Sequence, residues 1–402
     1  MWWSAAEQSS TPNSGVTVIY LDNAATTPVA PSVFQAMEPY FSAEFFNPSS
    51  QYSPALRQKQ ALEEARAYIA ATVNAHPREI YFTSGGTESD NWALKGIALA
   101  NREKGRHIIV SSAEHHAVLE SALWLERRGF EITYAPVDET GRVDVDRFVG
   151  LLRPDTVLCS VMLANNEVGT VQPIGELAEA THRAGALFHT DAVQAYAHCA
   201  IDVFQLGVDA LSVSAHKFNG PKGVGFLYCR RGLAVEPYMS GGAQERGYRA
   251  GTENLAGIVG MAQASRLAYG TDGKGEAFAG ALEHCEQLRC RMANALLDSI
   301  PDARVNGHST QRLEHILSVS FKDVSAETLL LILEQHGIYA SAGSACASGS
   351  LNESHVLSAM GIPRAWARGT LRFSFSEATT LEDVDTCCEV LIDSIKHVRE
   401  SK

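Results

Sequence analysis

At 402 residues the chain is long enough for two or three domains with full cores. Its 33 Lys+Arg against 46 Asp+Glu leave a net charge of −13, which opposes sequence-indifferent attraction to nucleic acid or anionic lipid. With 45% hydrophobic and 20% charged residues, the composition excludes global disorder.

The opening MWWSAAEQSSTPNSG has no basic stretch followed by an apolar one and reads as a polar lead-in rather than a targeting signal. No run of about 18 apolar residues is present to span a bilayer, so no membrane association is expected. From 78 to 229 short apolar runs alternate with helical segments. Strands are predicted at 79–84, 107–112, 131–137, 156–164, 186–191, 209–215 and 224–229, with helices at 87–102, 115–128 and 174–184 between them. This is the pattern of βα units wound into a mostly parallel sheet.

A helical stretch at 254–270 leads into TDGKGE, whose glycines and charges mark a boundary. Beyond it a helix at 275–300, strands at 315–321, in GIYAS and at 370–376, and helices at 325–337 and 381–399 describe a smaller α+β unit. In the last helix Val384, Cys387, Leu391, Ile395 and Val398 recur every three or four residues, so Cys387 belongs to a core. The eight cysteines contain no CxxC pair and no disulfide-framework spacing, which favours a reducing cytoplasm and gives no metal site.

In open α/β sheets a ligand lies beyond the carboxyl ends of the strands. Polar residues gather there after nearly every predicted strand: Ser84-Gly85-Gly86-Thr87-Glu88, Glu114-His115-His116, Asn165-Asn166-Glu167, His189 and Asp191 with Gln194, and Ser214 with His216-Lys217. Singly each reads as a loop or helix cap; five on one rim read as a site. Ser84 to Thr87 joins a strand to a helix, where backbone N–H groups and the helix dipole cradle an anion. The motif is neither Walker A nor GxGxxG. Lys217 follows an apolar strand, a setting that lowers an amine pKa and suits Schiff-base chemistry, whereas Lys222 reads as a solvated loop lysine. Asp191 ends a buried strand, where a carboxylate needs a cationic partner such as a protonated pyridine nitrogen. Phosphate cradle, lysine and carboxylate together describe a pyridoxal 5'-phosphate (PLP) site.

The stretches YLDNAATTPV, NPSS, TSGGTESDNWALKG, EHHAVL, NNEVGTVQPI, HTDAVQA, SAHKFNGPKGVGFLY, GGAQERGYRAGTEN, SAGSACASGS and TLRFSF, in this order over residues 20 to 376, resemble the cysteine desulfurases of the NifS/IscS type. The resemblance implies the type I fold of PLP-dependent transferases: an α/β large domain (33–272) with a mostly parallel seven-stranded sheet, and a small α+β domain (1–32 with 273–402) carrying the catalytic-cysteine loop. It also implies a homodimer. Lys217 would carry PLP as a Schiff base, Asp191 would pair with the pyridinium nitrogen, His115 would stack on the ring and move protons, and Gln194 would meet the phenolic oxygen. Gly86, Thr87, Ser214 and His216 would hold the phosphate, with Thr252 reaching it from the other subunit. Asn166 and Arg372 would grip the substrate carboxylate.

Cys346, in a loop of small residues, is the residue that separates this reading from a generic transaminase. Buried Cys159, inside an apolar strand, reads as core. On this resemblance L-cysteine displaces Lys217 from the cofactor, Lys217 removes the Cα proton, and the Cys346 thiolate attacks the substrate sulfur; alanine leaves and the persulfide passes to an acceptor. The chain departs from the usual pattern at QYSPALRQ after NPSS, at GGAQERG and at SFSEATT after Arg372, none of which touches an assigned residue. Two other readings stay open: an aminotransferase or selenocysteine lyase on the same fold, and an idle scaffold for sulfur transfer. Iron–sulfur assembly, tRNA thiolation and DNA phosphorothioation are all possible destinations, and the acidic balance favours a protein as acceptor over direct nucleic-acid binding.

Overall fold

A computed structural model describes residues 18–271, 273, 279–342 and 354–400. Its strands are β1 (Ile19–Tyr20), β2 (Ile80–Thr83), β3 (His107–Ser111), β4 (Glu131–Ala135), β5 (Thr156–Ser160), β6 (Leu187–Asp191), β7 (Ala210–Ser214), β8 (Gly225–Cys229), β9 (Ala303–Asn306), β10 (Ile316–Phe321), β11 (Ile338–Tyr339), β12 (Ser341–Ala342) and β13 (Thr370–Ser374). All seven runs expected in the large unit form one sheet, in the order β2-β8-β7-β6-β5-β3-β4.

The interior strands β3, β5, β7 and β8 are buried at every residue, as near-continuous apolar runs covered on both faces must be. β4 lies at one edge and leaves Tyr134 exposed. β8 runs antiparallel to both β2 and β7. The physical reason is the short β7–β8 connector, residues 215–224, which has no room for a helical crossover and turns the chain straight back. Lys217 sits on that turn. The expected strand at 156–164 leaves the regular ladder after Ser160, although Leu163 still donates to the Asp191 carbonyl at 2.8 Å.

The second sheet, ordered β12-β13-β10-β9, is antiparallel. Helices Ala279–Ser299, Ala326–Gln335 and Leu381–Glu400 pack with it. Its core joins Leu288, Leu317, Phe321, Leu329, Phe373, Cys387 and Leu391 with Ile19 and Leu21 from the start of the chain. The expected single strand in GIYAS is two: β11 pairs with β1, and β12 with β13. Elements the sequence reading did not name include β1, β9 and the helices Pro31–Met37 and Ser53–Thr72.

The segment from Leu21 to Ala30 ties the two sheets together. Ala24 N–H donates to Ser374 Oγ at 2.8 Å on the β13 side, and Thr27 N–H donates to the His216 carbonyl at 2.9 Å on the Lys217 side.

Candidate active site

Lys217 Nζ donates to the carbonyl oxygens of Ala24 and Ala25 at 2.7 and 2.8 Å. The crossing segment is held in place for this, since Thr27 Oγ1 donates to the His216 carbonyl at 3.0 Å and accepts the Asn219 N–H at 2.7 Å. Asp191, 5% exposed at the end of β6, accepts the Val193 N–H at 2.8 Å. Burial raises its pKa, against the pull of the Val193 N–H and the Lys217 charge.

Beside it stands Asp90, from the helix Gly86–Ala100, fully buried and with Oδ1 lacking a hydrogen-bond partner. Burial, and then the neighbouring Asp191, push Asp90 well up. One side-chain ligand atom each of Asp90, His115 and Asp191 lies within 4.8 Å of the others. His115 caps the helix His116–Glu126 and its Nδ1 accepts the Ala117 N–H at 3.1 Å, which leaves the ring proton on Nε2. Burial, helped by Lys217 and His116, lowers His115 to about 4, so its ring is neutral at pH 7.

Gln194 Nε2 donates to the Ala24 carbonyl at 2.8 Å, and its buried Oε1 has no partner. On the anion side, Gly85 adopts φ +146°, a conformation closed to other residues, and a Cβ on Gly86 would stand 2.6 Å from Val193 Cγ2. Thr87, Gly86 and Ser214 share this corner, with the Ser214 hydroxyl 3.3 Å from where a Gly85 Cβ would be. His216 Nδ1 lies 3.2 Å from Thr26 Oγ1. Burial, with Lys217 and Lys222 nearby, lowers it to about 4. Thr252 is exposed at the end of a long arm.

Arg372, 3% exposed on β13, donates from Nη1 to the Asn166 carbonyl and from Nη2 to Asp22 Oδ1, both at 2.8 Å, while Nε has no partner. Cys346 lies outside the described residues, between β12 and Ser354. Ser354 Oγ donates to Glu167 Oε2 at 2.5 Å, and burial raises that acid to about 7.

The structure thus brings Lys217, Asp191, His115, Gln194 and the Ser84–Thr87 turn to one rim. Two residues escaped the sequence reading. Asp90 lies one helical turn past the anion turn, where an acid also reads as a complement to the helix dipole, so nothing local marks it. Asp22 lies within YLDNAATTPV, and its partner is 350 residues away. The fit to PLP rests on these residues: a lysine amine beside a buried acid, an unpartnered buried amide oxygen, and a glycine turn that a Cβ would block.

The class-V aminotransferase family model matches residues 19–387. The chain is 51% identical to the cysteine desulfurase IscS of Methanosarcina thermophila over 98% of its own length and 95% of that relative. The chain belongs to the cysteine desulfurases of the class-V aminotransferase family. These are PLP-dependent enzymes, and the structure agrees with their fold: a solved NifS-like protein superposes with a TM-score of 0.88 at 37% identity, over 95% of this chain and all of that one. The solved structure of SspA in complex with cysteine, at 35% identity and a TM-score of 0.78, covers 89% of the chain and 98% of its own. The cofactor expected for this desulfurase from its sequence is therefore the cofactor of its family.

Proposed function

We propose that this rim binds PLP and L-cysteine, that the sulfur is held as a persulfide on Cys346, and that an acceptor protein takes it from there while L-alanine is released. The observation that carries the reading is Lys217, an amine oriented by two main-chain carbonyls next to the buried acid Asp191. PLP supplies an electron sink for charge developed at the substrate Cα. Lys217 anchors its aldehyde and moves the Cα proton. Asp191 would answer a protonated ring nitrogen, a cation that would offset its desolvation further than Lys217 does. Gln194 has a second amide N–H for the phenolic oxygen, and Gly86, Thr87, Ser214 and His216 take the phosphate. Arg372 offers its unpartnered Nε to the substrate carboxylate, with Asn166 alongside.

The same reading includes a homodimer. Phe34, Phe41, Phe45, Tyr52 and Leu56 are each more than half exposed, a surface that needs a cover. The loop at Pro48-Ser49 and the arm residues Ala243 to Arg246 line one cleft of about 450 Å³, and the arm leads on to Thr252, which would complete the partner's phosphate site. For the division into 33–272 and 1–32 with 273–402, one apolar core lies wholly in the second unit, while the core of the first also takes in Ala24, Ala30, Leu313, Ile316, Val356 and Leu357 from the second. A cytoplasmic setting suits the unpaired state of all seven cysteines among the described residues, and no described helix is long and apolar enough to cross a membrane.

The test is release of sulfide and alanine from L-cysteine with a thiol reductant, comparing wild type with Cys346→Ala while recording the absorption band of the Lys217-bound cofactor. Equal yields from wild type, and a variant that keeps its colour but loses sulfide, support the reading. Two coloured proteins that release no sulfide but transfer an amino group to a keto acid would hand the function to an aminotransferase.

A further inference from the structure

Along the edge strand β2 and at Ser84 just after it, three backbone groups are taken by charged side chains. Arg66 Nη1 and Arg246 Nη2 donate to the Ile80 carbonyl at 2.9 and 2.8 Å, Phe82 N–H donates to Glu245 Oε2 at 3.1 Å, and Ser84 N–H donates to Glu88 Oε2 at 2.9 Å. Glu245 and Arg246 belong to an arm that runs from Tyr238 to Thr252, closed on itself by Tyr238 N–H to the Tyr248 carbonyl at 2.8 Å and Ala250 N–H to the Met239 carbonyl at 3.0 Å. Both residues adopt left-handed backbone, φ 44° and 60°, which carries strain for a residue with a side chain. Arg66 offsets it by gripping both Glu245 oxygens at 2.8 Å.

The last link in this row reaches the anion turn itself. Arg249, from the arm, donates to Glu88 through Nε at 2.7 Å and Nη2 at 3.1 Å. Glu88 in turn holds the Ser84 N–H, immediately before the Gly85–Thr87 groups that form the cradle. Burial opposes ionisation of Glu88, yet Arg249 and Ser84 together keep its carboxyl below the usual range. Without Arg249 that carboxylate would have only the Ser84 N–H and the helix dipole to offset its charge, in the first turn of the helix that would receive the phosphate.

We infer that Glu88 and Arg249 are positioning residues for the phosphate cradle, through which the docked arm sets the aim of the Gly85–Thr87 N–H groups and thereby the affinity for a phosphate monoester. The inference rests on the reading that this cradle holds the phosphate of PLP. Neither side chain is assigned to the cofactor; both act through the turn.

The experiment uses the apo form of the full chain and titrates wild type, Glu88→Gln, Arg249→Gln and the double variant with PLP and, separately, with pyridoxal, which lacks the phosphate. The adduct with Lys217 is read by absorbance. The Kd for PLP is expected to rise about tenfold in Glu88→Gln and further in Arg249→Gln. The double variant should be no weaker than Arg249→Gln, because the two residues act as one unit. The Kd for pyridoxal should stay within about twofold of wild type. Equal weakening of PLP and pyridoxal, the mark of a merely structural role, would overturn the inference, as would no change in either. If Arg249→Gln does not fold, Arg249→Lys keeps the charge and loses the fork, and the same phosphate-selective loss is expected. Wild type that binds PLP no more tightly than pyridoxal would instead overturn the reading of the cradle on which the inference rests.

Discussion

Two sets of buried acids lie on or around the large sheet, and they differ in whether an arginine answers them. Glu245 and Glu88, along β2, are each held by a guanidinium fork, from Arg66 and Arg249. Asp90, Glu114 and Asp191, near the inner end of the rim, have none; Asp90 Oδ1 and Glu114 Oε2 lack any hydrogen-bond partner, and burial raises all three acids. An ionised carboxylate taken out of water costs several kcal/mol unless it is paired. The first set therefore fixes backbone, and the second stores a capacity to meet protons or a cationic ring. The difference separates scaffold from site within one layer of the molecule.

The largest effect should come from removing an arginine from the paired set. Arg66→Ala leaves Glu245 buried and alone and frees a strained arm, so urea unfolding should show a loss of about 3–5 kcal/mol. A loss below about 1 kcal/mol would break the comparison on the scaffold side. The unpaired set should respond in the opposite way. Asp191→Asn breaks no arginine fork and keeps an acceptor for the Val193 N–H, so stability of the cofactor-free chain should stay within about 1 kcal/mol, while the rate of sulfide release falls roughly 10²–10³-fold. A stable and fully active Asp191→Asn protein would remove Asp191 from the site.

The smallest of these effects sharpens the comparison through pH. Glu167 has a folded pKa near 7 against the ordinary 4.5, the result of burial. As pH rises through that interval the unfolded chain gives up this proton while the folded chain keeps it, so the group costs stability above about 4.5, in full above about 7. Glu167→Gln removes that cost and keeps an acceptor for Ser354. The variant should match wild type near pH 4 and exceed it by up to about 3 kcal/mol at pH 8, read from unfolding midpoints across pH. A constant difference across pH would mean that Glu167 is paired with a cation after all.

Much of the fold was legible because burial on both faces leaves a simple mark. β3, β5, β7 and β8 are short runs with scarcely a charge, so their positions follow from composition alone. β1, two residues long, buries too little to leave a pattern, and it exists because Ile19 and Tyr20 lie beside Ile338 and Tyr339. The same contrast runs through the site. Lys217, Asp191, His115 and the glycine turn stand at strand ends and could be read in order along the chain. The carbonyls of Ala24 and Ala25 that orient the lysine could not, because every residue offers a carbonyl and only a fold brings two of them to one amine.

By itself, then, the sequence marked the seven strands of the large sheet, a turn suited to an anion, and a lysine and an acid as the candidates proposed for the cofactor, since these depend on residue type and near neighbours. Tertiary structure alone decided the pairing of Arg372 with Asp22, the burial of Asp90 beside Asp191, and the reach of Arg249 to Glu88. Each of these depends on groups 101 to 350 residues apart, or on the desolvation that only a closed core imposes, and neither separation nor dielectric is written in local composition.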